Sequence, residues 1–148
     1  MLSLPVSEEL RLPALPHHAG QARMFIRQHA LRLGFAAGPS SEIEVAVGEA
    51  VANAIEHGCK ARSTSQETGT CEVVVAALWD GEVFVVSVTD DGPGFAPQAA
   101  PRTEASDAEA ERGRGLLMME LLMDEVQFFH APGGMTVRMS RRLHPARS

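Results

Sequence analysis

Apolar residues recur with two different periods along this chain, and the switches between them mark its elements. Over residues 18–33, Ala22, Phe25, Ile26, Ala30 and Leu33 return at every third or fourth position, the spacing of one helix face. Gly34 follows as a natural C-terminal stop. A second helical pattern opens at Ser41 and runs to Glu56 or His57, before Gly58. Ser41 and Glu44 have the spacing of a capping box, which sets the expected start. Ile43, Val47, Ala50 and Ala54 form the apolar stripe of this helix. A third helix is expected over residues 113–124, with Leu116, Leu117, Met119, Glu120 and Met123 spread around it.

Elsewhere the pattern is that of strands. Residues 71–79 and 82–90 are two β-rich runs joined by Asp80-Gly81, where glycine accepts the positive φ of a type I′ hairpin turn. Residues 126–130 and 135–141 are two more, around Pro132-Gly133-Gly134. In the last run Met135, Val137 and Met139 alternate with Thr136, Arg138 and Ser140, as in a sheet with one buried face. Residues 11–15 read as an edge strand, where Pro13 is tolerated. Residues 59–70 are polar and form a loop. Residues 97–112 lack any large apolar side chain and are expected to be a mobile loop. The elements predict an α+β fold: a two-layer sandwich of a mainly antiparallel mixed sheet, covered on one face by about three helices.

Composition narrows the function. The chain has 148 residues, which suits one domain over residues 1–148, and at 45% hydrophobic it can bury a sizeable core. A net charge of -6 argues against a general nucleic-acid binder, which needs clustered Lys and Arg to neutralise phosphates. Arg141, Arg142 and Arg147 are expected in a solvated tail. No apolar run has the length of a membrane span, and no signal-peptide pattern opens the chain, so neither a membrane nor a nucleic-acid partner is expected and the location is cytoplasmic. Cys59 and Cys71 lack CxxC spacing and are expected as reduced thiols.

Three short motifs carry the candidate chemistry. Glu49 and Asn53 are four apart on the second helix, so they share a face bordering the apolar stripe. An amide oxygen suits Mg²⁺, and a carboxylate one turn away can deprotonate a hydroxyl or water. Two polar residues on the wet side of a helix would look the same. Asp90 ends a buried run, where a carboxylate must be paired, and Gly92 and Gly94 give backbone room for a ligand. It fits an acceptor for an exocyclic amine such as that of adenine, but an ordinary turn after a strand also fits. Gly113-Arg114-Gly115 opens the third helix, where free amides and the helix dipole favour phosphate. Arg112 and Arg114 add positive charge, although paired glycines are common in plain loops. His57 extends the Glu49 face by a turn and suits the helix C-terminal dipole. No Gly-x-Gly-x-x-Gly, Walker loop or zinc-like histidine spacing occurs.

Taken in order, these motifs resemble those of the GHKL, or Bergerat-fold, ATPases. Glu49-Ala50-Val51-Ala52-Asn53 through Gly58 resembles the N box. Asp90-Asp91-Gly92-Pro93-Gly94 resembles the G1 box, and Gly113-Arg114-Gly115-Leu116 the G2 box. With Leu122-Met123-Asp124-Glu125-Val126 after the G2 helix, the resemblance is to the anti-sigma-factor serine/threonine kinases, over roughly residues 10–142. It implies ATP and Mg²⁺ as cofactors, with Asn53 binding the metal and Glu49 acting as general base on a protein hydroxyl. It further implies that Asp90 accepts from the adenine amine and that Gly92, Gly94, Arg112, Gly113, Arg114, Gly115 and Leu116 surround the nucleotide. The implied partners are an anti-anti-sigma STAS-domain protein as substrate, a sigma factor, and a second copy in a homodimer. Two departures stand out. The family's last box often reads Gly-Thr, where this chain has Gly134-Met135, and Arg112 directly precedes Gly113 rather than standing a little before it. A histidine kinase is disfavoured, because no phospho-accepting helical hairpin is expected before the domain. A non-catalytic module that holds a sigma factor or STAS protein is the alternative.

Overall fold

The helical and β-rich stretches assemble into two layers in the computed structural model, which describes residues 6–59, 71–91, 107–131 and 134–143. The elements run β1 (Val6–Pro13), a 3-10 turn (Pro16–His18), α1 (Ala19–Leu33), α2 (Ala37–Asn53) and a π-helical turn (Ala54–Cys59). Then follow β2 (Glu72–Trp79), β3 (Val83–Asp90), α3 (Asp107–Leu122), β4 (Glu125–Ala131) and β5 (Gly134–Arg142). The strands lie in the order β1-β2-β3-β5-β4, and every ladder is antiparallel. β1 takes the edge, as its proline requires.

Strict alternation decides which face of the sheet is covered. Val73, Val75 and Ala77 of β2, Phe84, Val86 and Val88 of β3, and Val137 and Met139 of β5 are buried. They meet Ala22, Ile26 and Ala30 of α1, Ile43, Val47, Ala50 and Val51 of α2, and Met119 of α3. α2 is the central helix, packed on α1 along one side and α3 along the other. The expected stripe of Ile43, Val47, Ala50 and Ala54 is fully buried. α1 ends as expected, with Gly34 at φ 110° and its N–H donating to the Ala30 and Leu31 carbonyls. His29 of α1 is buried and pairs through Nε2 with Glu8 of β1 at 3.0 Å, which ties the edge strand to the helical layer.

Several boundaries differ from expectation, each for a physical reason. α2 begins at Ala37, so the Ser41–Glu44 capping box does not form. Pro39 in the first turn is harmless, because its missing N–H would have no helical partner there. At the other end, α2 widens into the π turn at Ala54 rather than stopping at Gly58. α3 begins at Asp107 and not at Gly113, so the last part of the expected mobile loop is helical. Asp107-Ala108-Glu109-Ala110-Glu111 has few apolar anchors but strong intrinsic helix formers, and propensity decided the segment. The β2–β3 hairpin forms with Gly81 at φ 103°, but its turn is longer than a two-residue type I′. Asp80 closes it instead: its Oδ1 accepts from the Glu82 and Val83 amides at 2.9 and 2.8 Å. Those two amides hold the Asp80 carboxyl below the usual carboxylate range.

Two expectations about individual residues are overturned. Arg141 and Arg142 lie in β5, not in a tail. Arg141 donates to the Leu122 carbonyl at the end of α3 and to Glu42 of α2, both at 2.9 Å, and so locks both helices to the sheet. Arg142 pairs with Glu82 across the sheet. Cys71 is disulfide-bonded rather than reduced; Cys59 is the only other cysteine in the chain.

Candidate functional site

Glu49 and Asn53 stand on the last turn and a half of α2, on the side turned toward α3. Glu49 is half-buried, and Asn53 is buried to 7% exposure. Helical spacing alone stacks them; the packing of α3 gives them a common target. A Cβ placed at Gly115 would lie 2.8 Å from Glu49 Oε2 and 3.8 Å from Asn53 Nδ2. A side chain there would push the Glu49 carboxylate from its present place. N box and G2 box, 62 residues apart between Asn53 and Gly115 in sequence, are therefore one locus in space.

The amide of Asn53 makes this locus a binding site in chemical terms. Its Nδ2 is buried without a hydrogen-bond partner. An orphaned buried polar group costs about 1–3 kcal/mol, and native structures retain few of them. Amide orientation is assigned from the hydrogen-bond network, so the same side chain can present its oxygen to a cation. A hard oxygen donor beside a carboxylate fits Mg²⁺, which takes few protein ligands and keeps phosphate oxygens and waters for the rest. The residues present thus fit the metal-nucleotide site that their motif implies.

Asp90 closes the other side. It is the last residue of β3 and is buried to 6% exposure, on the same face as Phe84, Val86 and Val88. The π turn that follows Asn53 packs against β3, so the end of α2 and the acid strand belong to one region. Gly134 fixes the surroundings of Asp90. A Cβ at Gly134 would collide with the Asp90 carbonyl oxygen. Gly134→Ala is therefore expected to cost about 1–3 kcal/mol, typical of forced overpacking, and thermal unfolding of the variant would reveal it. An unchanged Tm would show that β5 can yield at this point.

Thr136 cannot replace the hydroxyl missing at Met135. It is in register with Thr89, and the two Oγ1 atoms lie 2.8 Å apart on the sheet face opposite the helices. Met135, one position earlier, is the residue paired with Asp90. Period two puts them on different faces, so the family's Gly-Thr box has no equivalent hydroxyl on the Asp90 side.

The expected helix N-terminus at Gly113 is corrected. Gly113, Arg114 and Gly115 lie within α3, two turns past its start. Their amides are engaged in helical bonding and do not form an open phosphate cradle. Glycine within a helix costs about 1 kcal/mol relative to alanine, so this part of α3 is its weakest. Arg114 is exposed and Leu116 is half-buried against the core. Gly92, Gly94 and the side chains of Arg112 and His57 lie outside the described residues. Among the described residues, the close approach of Gly134 to Asp90 is the feature that motif reading did not single out. It exists only once the β3–β5 register is known.

A two-layer α+β domain with an amide–carboxylate pair on its central helix and a buried acid at a strand end defines a nucleotide-binding ATPase module. The chain matches the histidine kinase-like ATPase domain over residues 12–141. The serine-protein kinase RsbW of Bacillus pumilus is 34% identical over 146 residues, covering 94% of this chain and 87% of that protein. Its Bacillus subtilis counterpart is 31% identical with the same coverage. The solved RsbU and RsbW domains of a Mycobacterium tuberculosis protein superpose with a TM-score of 0.66 at 27% identity, over 96% of this chain and 34% of that one. This chain spans about a third of that larger protein. It belongs to the RsbW family of serine-protein kinases within the histidine kinase-like ATPases.

Proposed function

We propose that this chain is a single ATP-binding kinase domain acting as an anti-sigma factor in a partner switch. It transfers the γ-phosphoryl group of ATP to a serine or threonine hydroxyl of an anti-anti-sigma STAS-domain protein. The observation that carries this reading is the convergence of Glu49 and Asn53 on Gly115, with an unpartnered amide at its centre. A module that only grips protein surfaces needs neither a half-buried carboxylate nor a buried amide at that place.

Each residue has a distinct task in this reading. Glu49 accepts the proton of the incoming hydroxyl as the new phosphate ester bond forms and the bond to ADP breaks. Asn53 would hold Mg²⁺, which supplies charge neutralisation between the phosphates when bound. Asp90 accepts from the adenine amine, and Gly134 keeps it in place. Phosphoryl transfer is largely positioning and charge stabilisation, so a small domain suffices when the protein substrate brings the nucleophile. Gly113 and Gly115 contribute backbone amides to the phosphates once this weak part of α3 opens. No helix among the described residues is long and apolar enough to cross a membrane. The cytoplasm is the compartment in which a sigma factor would be met, and two copies of the chain form the working unit.

The switch itself is testable by size-exclusion chromatography. With Mg-ATP the chain should co-elute with its sigma factor, and a STAS protein whose target serine is replaced by alanine, and so cannot be phosphorylated, should release the sigma factor. A STAS protein whose target serine is replaced by aspartate should fail to release it. Release by both STAS forms alike would contradict the partner switch.

A further inference from the structure

Cys59 and Cys71 have no part in the proposed chemistry, yet they bracket its site. Cys71 is disulfide-bonded, and a chain with two cysteines leaves Cys59 as its partner. Cys59 ends the π turn that continues α2 directly beyond Asn53. That turn packs on β2 and β3. Cys71 stands half-buried against the core just before β2. Its Sγ lies 2.7 Å from Oδ1 of Asp91, the residue after Asp90. The bond therefore runs from the end of the Asn53 helix to the Asp90 end of the sheet, the two sides of the nucleotide site.

A bonded sulfur carries no hydrogen, so the Cys71–Asp91 contact sets one acceptor against another while the disulfide stands. Reduction gives that sulfur an S–H, which can donate to the same carboxylate oxygen. The contact thus favours the dithiol, and a disulfide disfavoured in this way is of the labile, regulatory kind. The cytoplasm proposed for this chain agrees, since disulfides there are transient. We propose that Cys59 and Cys71 form a redox-modification site that sets nucleotide affinity and exchanges with a dithiol reductant. One reductant thiolate attacks one of the two sulfurs, the S–S bond breaks, and the other cysteine leaves as a thiolate that takes up a proton. The second reductant thiol then displaces the first cysteine from the mixed disulfide. The chain gains two electrons and two protons, and the dithiol becomes a disulfide. While oxidised, the bond holds the Asn53 and Asp90 sides together before ATP arrives, and a pre-organised site binds more tightly. This inference rests on the nucleotide site of the proposed function.

The test uses the full chain, oxidised and after reduction with dithiothreitol. Without reductant the chain should have the covalent mass of one copy, and iodoacetamide should add nothing to it. After reduction it should take up one alkyl group at each cysteine. Calorimetry should give the oxidised chain a Kd for Mg-ATP about three- to tenfold below that of the reduced chain, the worth of ordering one or two side chains in advance. The double variant Cys59→Ser, Cys71→Ser should bind like the reduced chain with or without dithiothreitol, which separates the bond from any other effect of the reductant. Equal affinity of the oxidised and reduced chains would overturn the switch while the nucleotide site stands. A disulfide between two copies, or full alkylation without reductant, would overturn it as well. If neither form binds Mg-ATP, the nucleotide reading falls and this inference falls with it.

Discussion

Glu49→Ala is expected to lower phosphoryl transfer by roughly 10²–10⁴-fold, the usual share of a positioned general base, while Mg-ATP binding changes little. The geometry sets both halves of this expectation. Glu49 is half-buried and directed at Gly115, which in the proposed function puts its carboxylate at the phosphate end of the nucleotide. Its removal leaves Asn53 and Asp90 untouched, and binding should survive. Single-turnover transfer to a STAS-domain protein separates the two, because affinity is read from the concentration dependence and chemistry from the plateau rate. A plateau rate within a few-fold of the unmodified chain would remove Glu49 from the role of base.

Asn53→Ala has a signature of opposite signs. Without nucleotide, the variant deletes a buried amide whose Nδ2 has no partner, and with it a penalty of about 1–3 kcal/mol. The lost packing offsets part of that gain, so the empty protein should unfold at the same temperature or a higher one. With Mg-ATP the result should reverse. Ligand stabilisation grows with the logarithm of concentration over Kd, so a variant that binds Mg-ATP about tenfold more weakly loses about 1.4 kcal/mol of it. Thermal unfolding with and without Mg-ATP measures both. An empty variant that is strongly destabilised would mean that Asn53 serves structure. An undiminished Mg-ATP shift would take the metal assignment away.

Periodicity carried most of the fold. The alternation of Met135, Val137 and Met139, and the stripe of Ile43, Val47, Ala50 and Ala54, name core residues directly, because burial of one face is what the pattern records. Element ends were less visible. The start of α3 depended on the helix propensity of residues with little apolar surface, and the end of α2 on a wide turn that no local signal marks. Both misreadings bear on the site, since they decide whether Gly113 and Gly115 lie before a helix or within one. Asn53, Glu49 and Asp90 were proposed from residue type and spacing; in the fold Glu49 and Asn53 lie beside Gly115, and Asn53 and Asp90 are buried. The close approach of Gly134 to Asp90 and the pairing of Met135 with it were hidden, because they follow from a register between strands 45 residues apart, Asp90 against Met135. Arg141 was hidden for a similar reason: its acceptors lie on α2 and at the end of α3.

The intact mass of a STAS-domain protein after incubation with this chain and Mg-ATP tests the kinase assignment most directly. The mass should rise by one phosphoryl group, at a serine or threonine, and Glu49→Ala should leave almost all of the STAS protein at its original mass over the time in which the unmodified chain completes the transfer. A STAS protein that binds the chain and Mg-ATP together, yet keeps its mass unchanged, would contradict the kinase and leave a binding module.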